Sequence, residues 1–257
     1  MEIPVASTEF QGRTFWVSGA SSGIGAATAL ALGQAGANVA LVARRRQALE
    51  AVAAKIDEGP GRALVIAADL SQEAQVKAAV EAAVARFGGL DGAFNNAGML
   101  GDAQSLHLTG DAEMHAVLQA NVMSVFWSMK HQIASMLSSG GGSIVNTSSI
   151  AGELGFANLG PYVASKHAVN GLTRAAALEY FQSGLRCNAV APGPIRTPMA
   201  EQGFGGLEEM DTSMKASPAG RAGEPVEVAA MVLFLLSKAA SYVNGHVLTV
   251  DGGFSIA

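Results

Sequence analysis

The sequence predicts an α/β chain with a seven-stranded, doubly wound parallel sheet flanked by helices on both faces. Three observations predict it. Short, nearly uninterrupted apolar runs alternate with longer helical patterns along the whole chain, as parallel strands covered on both faces do. Hydrophobic residues make up 49% of the 257 and charged residues 14%, a composition foreign to disordered chains and coiled coils. No linker interrupts the rhythm, and one domain of this length buries roughly three quarters of the surface its unfolded chain exposes. Residues 1–257 are therefore expected to form a single domain.

The elements follow in order. Apolar runs predict strands at Thr14–Ser18, Asn38–Val42, Arg62–Ala67, Gly92–Asn95, Ser143–Thr147, Arg186–Ala191 and His246–Val250. Between them, helical patterns cover Gly23–Ala35, Arg45–Asp57, Ser71–Phe87, Asp111–Leu137, Pro161–Ser183 and Pro225–Leu236. Ser71 is expected as an N-cap with Glu73 in the first turn, and Pro161 and Pro225 suit first helical positions. Strand, helix, strand in this rhythm requires right-handed crossovers. The Ser138–Ser143 cluster reads as a turn. Only Met199–Ser217 breaks the pattern: Gly203, Gly205 and Gly206 among Met199, Phe204, Leu207, Met210 and Met214 predict a mobile substrate flap, at about 198–217, instead of regular core.

Charge narrows the partners. A net charge of −5 argues against nucleic acid, because neutralising phosphates takes a surplus of Lys and Arg. Only Arg44–Arg46 forms a basic run. The single cysteine, Cys187, lies in an apolar stretch and reads as a small buried hydrophobe; with no second cysteine an internal disulfide is excluded, which suits a reducing compartment. Thr14–Ala43 carries no charge and is long enough to span a bilayer. Its Gly19, Gly23, Gly25, Gly33, Gly36, Gln34 and Asn38 fit a loop between strands better. Residues 1–12 carry Glu2 and Glu9 and lack a basic start followed by an apolar run. The expectation is a soluble, cytoplasmic protein with no membrane partner.

The first strand runs into Ser18-Gly19-Ala20-Ser21-Ser22-Gly23-Ile24-Gly25 and then a helix. Glycines let the backbone turn tightly against a pyrophosphate, and the helix start offers free N–H groups. At the end of the second strand an NAD site wants a carboxylate for the ribose 2′-hydroxyl. Here stand Ala43, Arg44 and Arg45, and arginine suits a 2′-phosphate, so NADP(H) is expected, with NAD(H) as the alternative. Tyr162 and Lys166 are four apart and share one helix face. At about 4 Å and an effective dielectric near 20, an ammonium favours the phenolate by on the order of 4 kcal/mol, about three pK units before desolvation.

In combination, Ser18–Gly25, Asn95-Asn96-Ala97-Gly98, Asn121, Ser149, Tyr162-Val163-Ala164-Ser165-Lys166, Pro192-Gly193 and Asp251-Gly252-Gly253 resemble, in order and spacing, the short-chain dehydrogenase/reductases. The resemblance covers Arg13 to Phe254 and implies a single-domain Rossmann fold with a hydride-transfer activity. It implies that Tyr162 protonates a carbonyl oxygen and that Lys166 lowers its pKa and binds the nicotinamide ribose. It further implies that Ser149, thirteen positions before Tyr162, hydrogen-bonds the carbonyl, and that Asn121 holds a water relaying protons to the lysine. Gly19, Ser21, Ser22, Gly23, Ile24 and Gly25 would cradle the phosphates, and Asp69 and Leu70 would flank the adenine. Asn96, Ala97 and Gly98 would lie under the cofactor, with Pro192, Gly193, Ile195 and Thr197 at the carboxamide.

Two departures matter. Ser18 stands where the family usually has threonine, and Ala43 replaces the acid of NAD-preferring members. His107, His115, His131, His167 and His246 lack paired ligand spacing, so no metal is expected. One family branch acts on acyl carrier protein, but no Lys or Arg lies between Lys130 and Lys166 and the flap carries Glu201, Glu208, Glu209 and Asp211. An acidic carrier would find no basic mouth. The expected substrate is a small, mostly uncharged ketone or secondary alcohol. The alternatives are an NAD-dependent alcohol or sugar-alcohol dehydrogenase and, from another class, a non-catalytic dinucleotide-binding sensor or structural subunit. Resemblance also implies a homotetramer through the helices at Asp111–Leu137 and Pro161–Ser183.

Overall fold

The computed structural model describes Thr8–Ala257; Glu2 and the start of the expected 1–257 domain lie outside the described residues. Seven strands, β1 (Thr14–Ser18), β2 (Asn38–Ala43), β3 (Arg62–Ala67), β4 (Gly92–Asn95), β5 (Gly142–Thr147), β6 (Leu185–Pro192) and β7 (Val247–Val250), form one sheet in the order β3-β2-β1-β4-β5-β6-β7. Every pairing is parallel. The period of two in a strand sends neighbours to opposite faces. In β1, Phe15 and Val17 enter a core with Leu32, Leu41, Ile56, Val232 and Leu236, beneath α1 (Gly23–Gln34), α2 (Arg46–Asp57) and α9 (Pro225–Leu236). Trp16 enters the other, with Val42, Val76, Ile133 and Val169, beneath α3 (Glu73–Phe87), α5 (Ser124–Ser138) and α6 (Gly160–Tyr180). Uncharged Thr14–Ala43 is thus β1-α1-β2, and no helix of the described residues is long and apolar enough to cross a membrane.

Successive strands run outward from β1 in one direction and from β4 in the other. The crevice beyond the carboxyl ends of β1 and β4 is therefore the place where such a sheet leaves room for a ligand.

Three expectations are corrected. Ser71 does not cap α3: Gln72 holds that position, because the Ser71 hydroxyl and N–H both donate to Asp69 Oδ1, at 2.8 and 3.0 Å. The predicted helix Asp111–Leu137 is α4 (Asp111–Leu118), a π-helical turn at Gln119–Met123, and then α5. There the Ser124 N–H reaches back to Gln119 O. Finally, Met199–Ser217 is not irregular. It contains α7 (Pro198–Phe204) and α8 (Leu207–Met214). Met210 and Met214 are buried with Ala222, packed on by Ala200, Phe204 and Phe254, so the apolar spacing there docks two short helices. Gly205, at φ 82°, supplies the left-handed residue that ends α7.

Candidate active site

The glycine loop is shaped by close approach. Gly19 has φ 64°, and a Cβ there would stand 2.7 Å from Asn96 Nδ2. A Cβ on Gly25 would collide with Gly19 O. Ser18 ties this loop to the one after β4: its hydroxyl accepts from the N–H groups of Asn96 and Ala97, at 2.9 and 3.1 Å. Ser22 leaves the start of α1 without a side-chain cap, so its first N–H groups face the loop, and a pyrophosphate fits that cradle. Beside it, Arg45 Nη2 donates to the hydroxyls of Ser21 (3.0 Å) and Ser22 (3.1 Å). Arg44 is exposed at the end of β2. Hydrogen bonds from the Ser71 hydroxyl and N–H hold the Asp69 carboxyl below its usual range, with smaller help from Gln72 and the Arg44 charge. Leu70 is buried beside it.

The same sheet edge carries the second group. Tyr162 and Lys166 occupy the first two turns of α6, and Lys166 Nζ lies 5.5 Å from the Tyr162 ring centroid. Nζ donates to Thr147 O at 2.9 Å, and burial lowers the ammonium to about 8. For Tyr162, burial pushes the phenol above 10 and a hydrogen bond with Ser149 opposes it. The ammonium's pull on the phenol, expected before desolvation is counted, is outweighed here by burial. The charge lies over the ring, and desolvation outweighs attraction. Ser149 caps the short turn Ile150–Gly152 by accepting from Ala151 N–H (3.1 Å). That bond engages its oxygen as an acceptor and leaves its proton to donate.

Asn121 is buried in the π turn. Its Oδ1 accepts from Met99 N–H (2.8 Å), and Nδ2 donates to Met99 O (2.8 Å) and Ser165 Oγ (3.0 Å). Both amide hydrogens are thus taken within the protein, so the amide has no proton to give a water. A Cβ on Gly98 would meet Asn121 Oδ1 at 2.9 Å and Lys166 Nζ at 3.8 Å, which keeps the floor between them open. Asn96 donates to Ser18 O (3.2 Å) and accepts from the Thr147 hydroxyl (3.3 Å).

Beyond β6, Gly193 lies against Asp251. Ile195 pairs with Gly223, and Thr197 caps α7 through Ala200 N–H (3.2 Å). The sequence reading did not single out Thr147, Met99 or Ser165. Met99, and Thr147 toward Lys166, act through main-chain groups that residue type does not announce, whereas Ser165 was visible inside the Tyr162–Lys166 motif. Among the described residues no cluster of His, Cys, Asp or Glu could hold a metal ion.

Comparison with known proteins agrees with this arrangement. A family model described as "Enoyl-(Acyl carrier protein) reductase" matches residues 19–255. Cyclohexanol dehydrogenase from Acinetobacter sp. (strain SE19) is 43% identical over 251 residues, 98% of each chain. A 2,5-dichloro-2,5-cyclohexadiene-1,4-diol dehydrogenase from Sphingobium indicum is 44% identical over 252 residues, 96% of this chain and 99% of the relative. The crystal structure of levodione reductase superposes with a TM-score of 0.92 at 41% identity, covering 96% of this chain and 99% of that one. Levodione reductase of Leifsonia aquatica is 41% identical in sequence over 259 residues. Likeness that runs nearly end to end, over one sheet order and one glycine loop, makes this chain a member of the short-chain dehydrogenase/reductase family, oxidoreductases that use a nicotinamide dinucleotide.

Proposed function

We propose that the protein is an NADP(H)-dependent oxidoreductase that interconverts a ketone and a secondary alcohol on a small, mostly apolar ring. The observation that carries this reading is the convergence of Ser149, Tyr162 and Lys166 on one buried edge beside an open floor at Gly98. The bound nicotinamide supplies or accepts the hydride. Ser149 turns its proton from Tyr162 to the substrate oxygen and holds that oxygen beside the phenol. Tyr162 gives its proton to that oxygen as negative charge develops, and takes it back in the oxidative direction. Lys166, its ammonium desolvated and held on Thr147 O, would hold the ribose hydroxyls of the cofactor and favour proton loss from the phenol.

The ring-shaped substrate is supported by the cyclohexanol and cyclohexadiene-diol named for two relatives, and by apolar side chains at the cleft. Leu100 approaches Gly203 of α7, and Leu106 approaches Gly160. Segment 198–217 serves as the lid over this space. Reduction of a carrier-bound enoyl chain fits less well: Arg196, at the base of the lid, is taken up by Asp211 and Glu224, leaving an acidic lid surface. Exposed Phe126 and Leu137 on α5 and Leu178 on α6 support assembly as a homotetramer through those helices. Buried, unpaired Cys187 suits a cytoplasmic setting.

Steady-state kinetics on a panel of cyclic ketones with NADPH and NADH test the reading. NADPH is expected to be preferred by at least about tenfold in kcat/KM, and Arg45→Ala with Arg44→Asp to erase that preference. A preference for NADH would make the protein an NAD-linked alcohol dehydrogenase, and equal use of both cofactors would overturn the NADP(H) assignment. Absence of turnover with every substrate would return it to a dinucleotide-binding sensor.

A further inference from the structure

We propose that Ser165 is a positioning residue, whose buried hydroxyl locks the Asn121 turn onto α6 and so holds Lys166 in place beneath the cofactor floor. Ser165 is 0% exposed. Its hydroxyl donates to Tyr162 O at 2.7 Å and accepts from Asn121 Nδ2 at 3.0 Å. Met99 offers the Asn121 amide both an N–H and a C=O, each at 2.8 Å. That pairing fixes the amide's orientation, because the flipped form would set donor against donor and acceptor against acceptor.

One amide hydrogen is then left over in a buried place and needs an acceptor. The Ser165 oxygen serves because its own proton goes to Tyr162 O. The hydrogen-bond polarity therefore runs one way, from Met99 N–H through Asn121 and Ser165 to the main chain of Tyr162. This stitches together three segments that nothing local joins: the chain following Gly98, the π turn and the first turn of α6. Lys166 follows Ser165 directly, and its Nζ sits 3.8 Å from where a Cβ on Gly98 would stand. A π turn gives up regular helix hydrogen bonding and persists where something else holds it. Here Asn121 is that holder, and Ser165 completes its shell. The clamp keeps the space around Nζ dry, consistent with an ammonium lowered to about 8 by burial alone.

The idea rests on the functional reading only for its rate measurement. The first test uses the cofactor-free chain: a pH titration of the lysine side chains by 15N NMR, with Lys166 identified by the signal lost in Lys166→Met. Ser165→Ala should let water in and move the Lys166 titration up by at least about 0.5 pK unit, and Ser165→Thr, which restores a hydroxyl, should return it. A Ser165→Ala curve superposing on the parent would overturn the proposal. If Ser165→Ala does not fold, Ser165→Cys replaces it, and identical titrations for the Cys and Thr variants would overturn the idea equally.

The second test is the kcat–pH profile of ketone reduction. Ser165→Ala should lower kcat about tenfold and shift the profile, with KM for the ketone within about threefold. A lower kcat on an unmoved profile marks a merely structural role and counts against the proposal. A moved Lys166 titration in a protein without ketone turnover would leave the clamp standing and remove the functional reading.

Discussion

The start of α6 and the proposed lid of α7 and α8 are held in opposite ways. At the start of α6, Ser165 and Lys166 are buried with short, fixed partners in β5 and the π turn. The lid is held by a small apolar cluster around Met210 and Met214 and by Arg196, which reaches Asp211 and Glu224 (3.2 Å) with side chains a third to a half exposed. Buried, directional bonds fix atoms for chemistry. Partly exposed ion pairs are individually weak, screened by salt and open at little cost. On the function proposed above, the contrast would separate where the reaction is positioned from where access is controlled.

The largest effect should come from the rigid side. Tyr162→Phe removes the transferable proton, and ketone reduction is expected to fall by about a thousandfold or more in kcat, with NADPH affinity changed by less than about fivefold. Substantial residual turnover would break the assignment of chemistry to α6. On the lid, Arg196→Gln and Asp211→Asn should raise KM several-fold, roughly three- to tenfold, while kcat changes less than about threefold; salt titration of the parent should mimic them. A dominant loss of kcat there would erase the comparison.

A smaller effect reads the burial of Lys166 through stability. Its native pKa, about 8, lies below the unfolded value of 10.5, so the unfolded chain binds more protons between the two. Unfolding free energy therefore rises with pH through that window, by up to about 3 kcal/mol. Cys187 and Tyr162, both raised by burial, oppose this above about pH 9 and about pH 10, where their unfolded forms ionise first. Urea melts of the cofactor-free protein at pH 7.5 to 9.5 should give the parent a more positive slope than Lys166→Met, in which the opposing contribution of Cys187 remains. The smallest signal is Cys187. Burial pushes its thiol up to about 12, so thiol reagents at pH 8 should leave it unlabelled until the protein is denatured.

Much of this was legible before the fold. All seven strands fall within a few residues of their predicted bounds, because apolar runs between turn residues are a local signal. Ser18–Gly25 joins β1 to α1, and Tyr162 and Lys166 stand four apart in α6, as the local pattern implied; Ser149 was reached only through the family resemblance. One miss is local and two are not. Ser71 gives its hydroxyl and N–H to Asp69, two residues away, and leaves the N-cap position to Gln72, whereas the π turn carries Asn121, whose amide pairs with Met99, distant in sequence. The lid glycines masked two short helices whose burial depends on Ala222 and Phe254.

The sequence by itself determined the alternation of strand and helix, the glycine cradle and the placing of Tyr162 and Lys166 on one helix face. Periodicity and backbone freedom are properties of neighbouring residues, readable within a dozen positions. Only the tertiary structure decided the rest: that Arg45 grips the loop serines, that the phenol is raised and not lowered, and that Asn121 spends both amide protons inside the protein. Those outcomes depend on desolvation and on hydrogen-bond partners from remote segments, which exist only once the sheet has brought β1, β4 and β5 side by side.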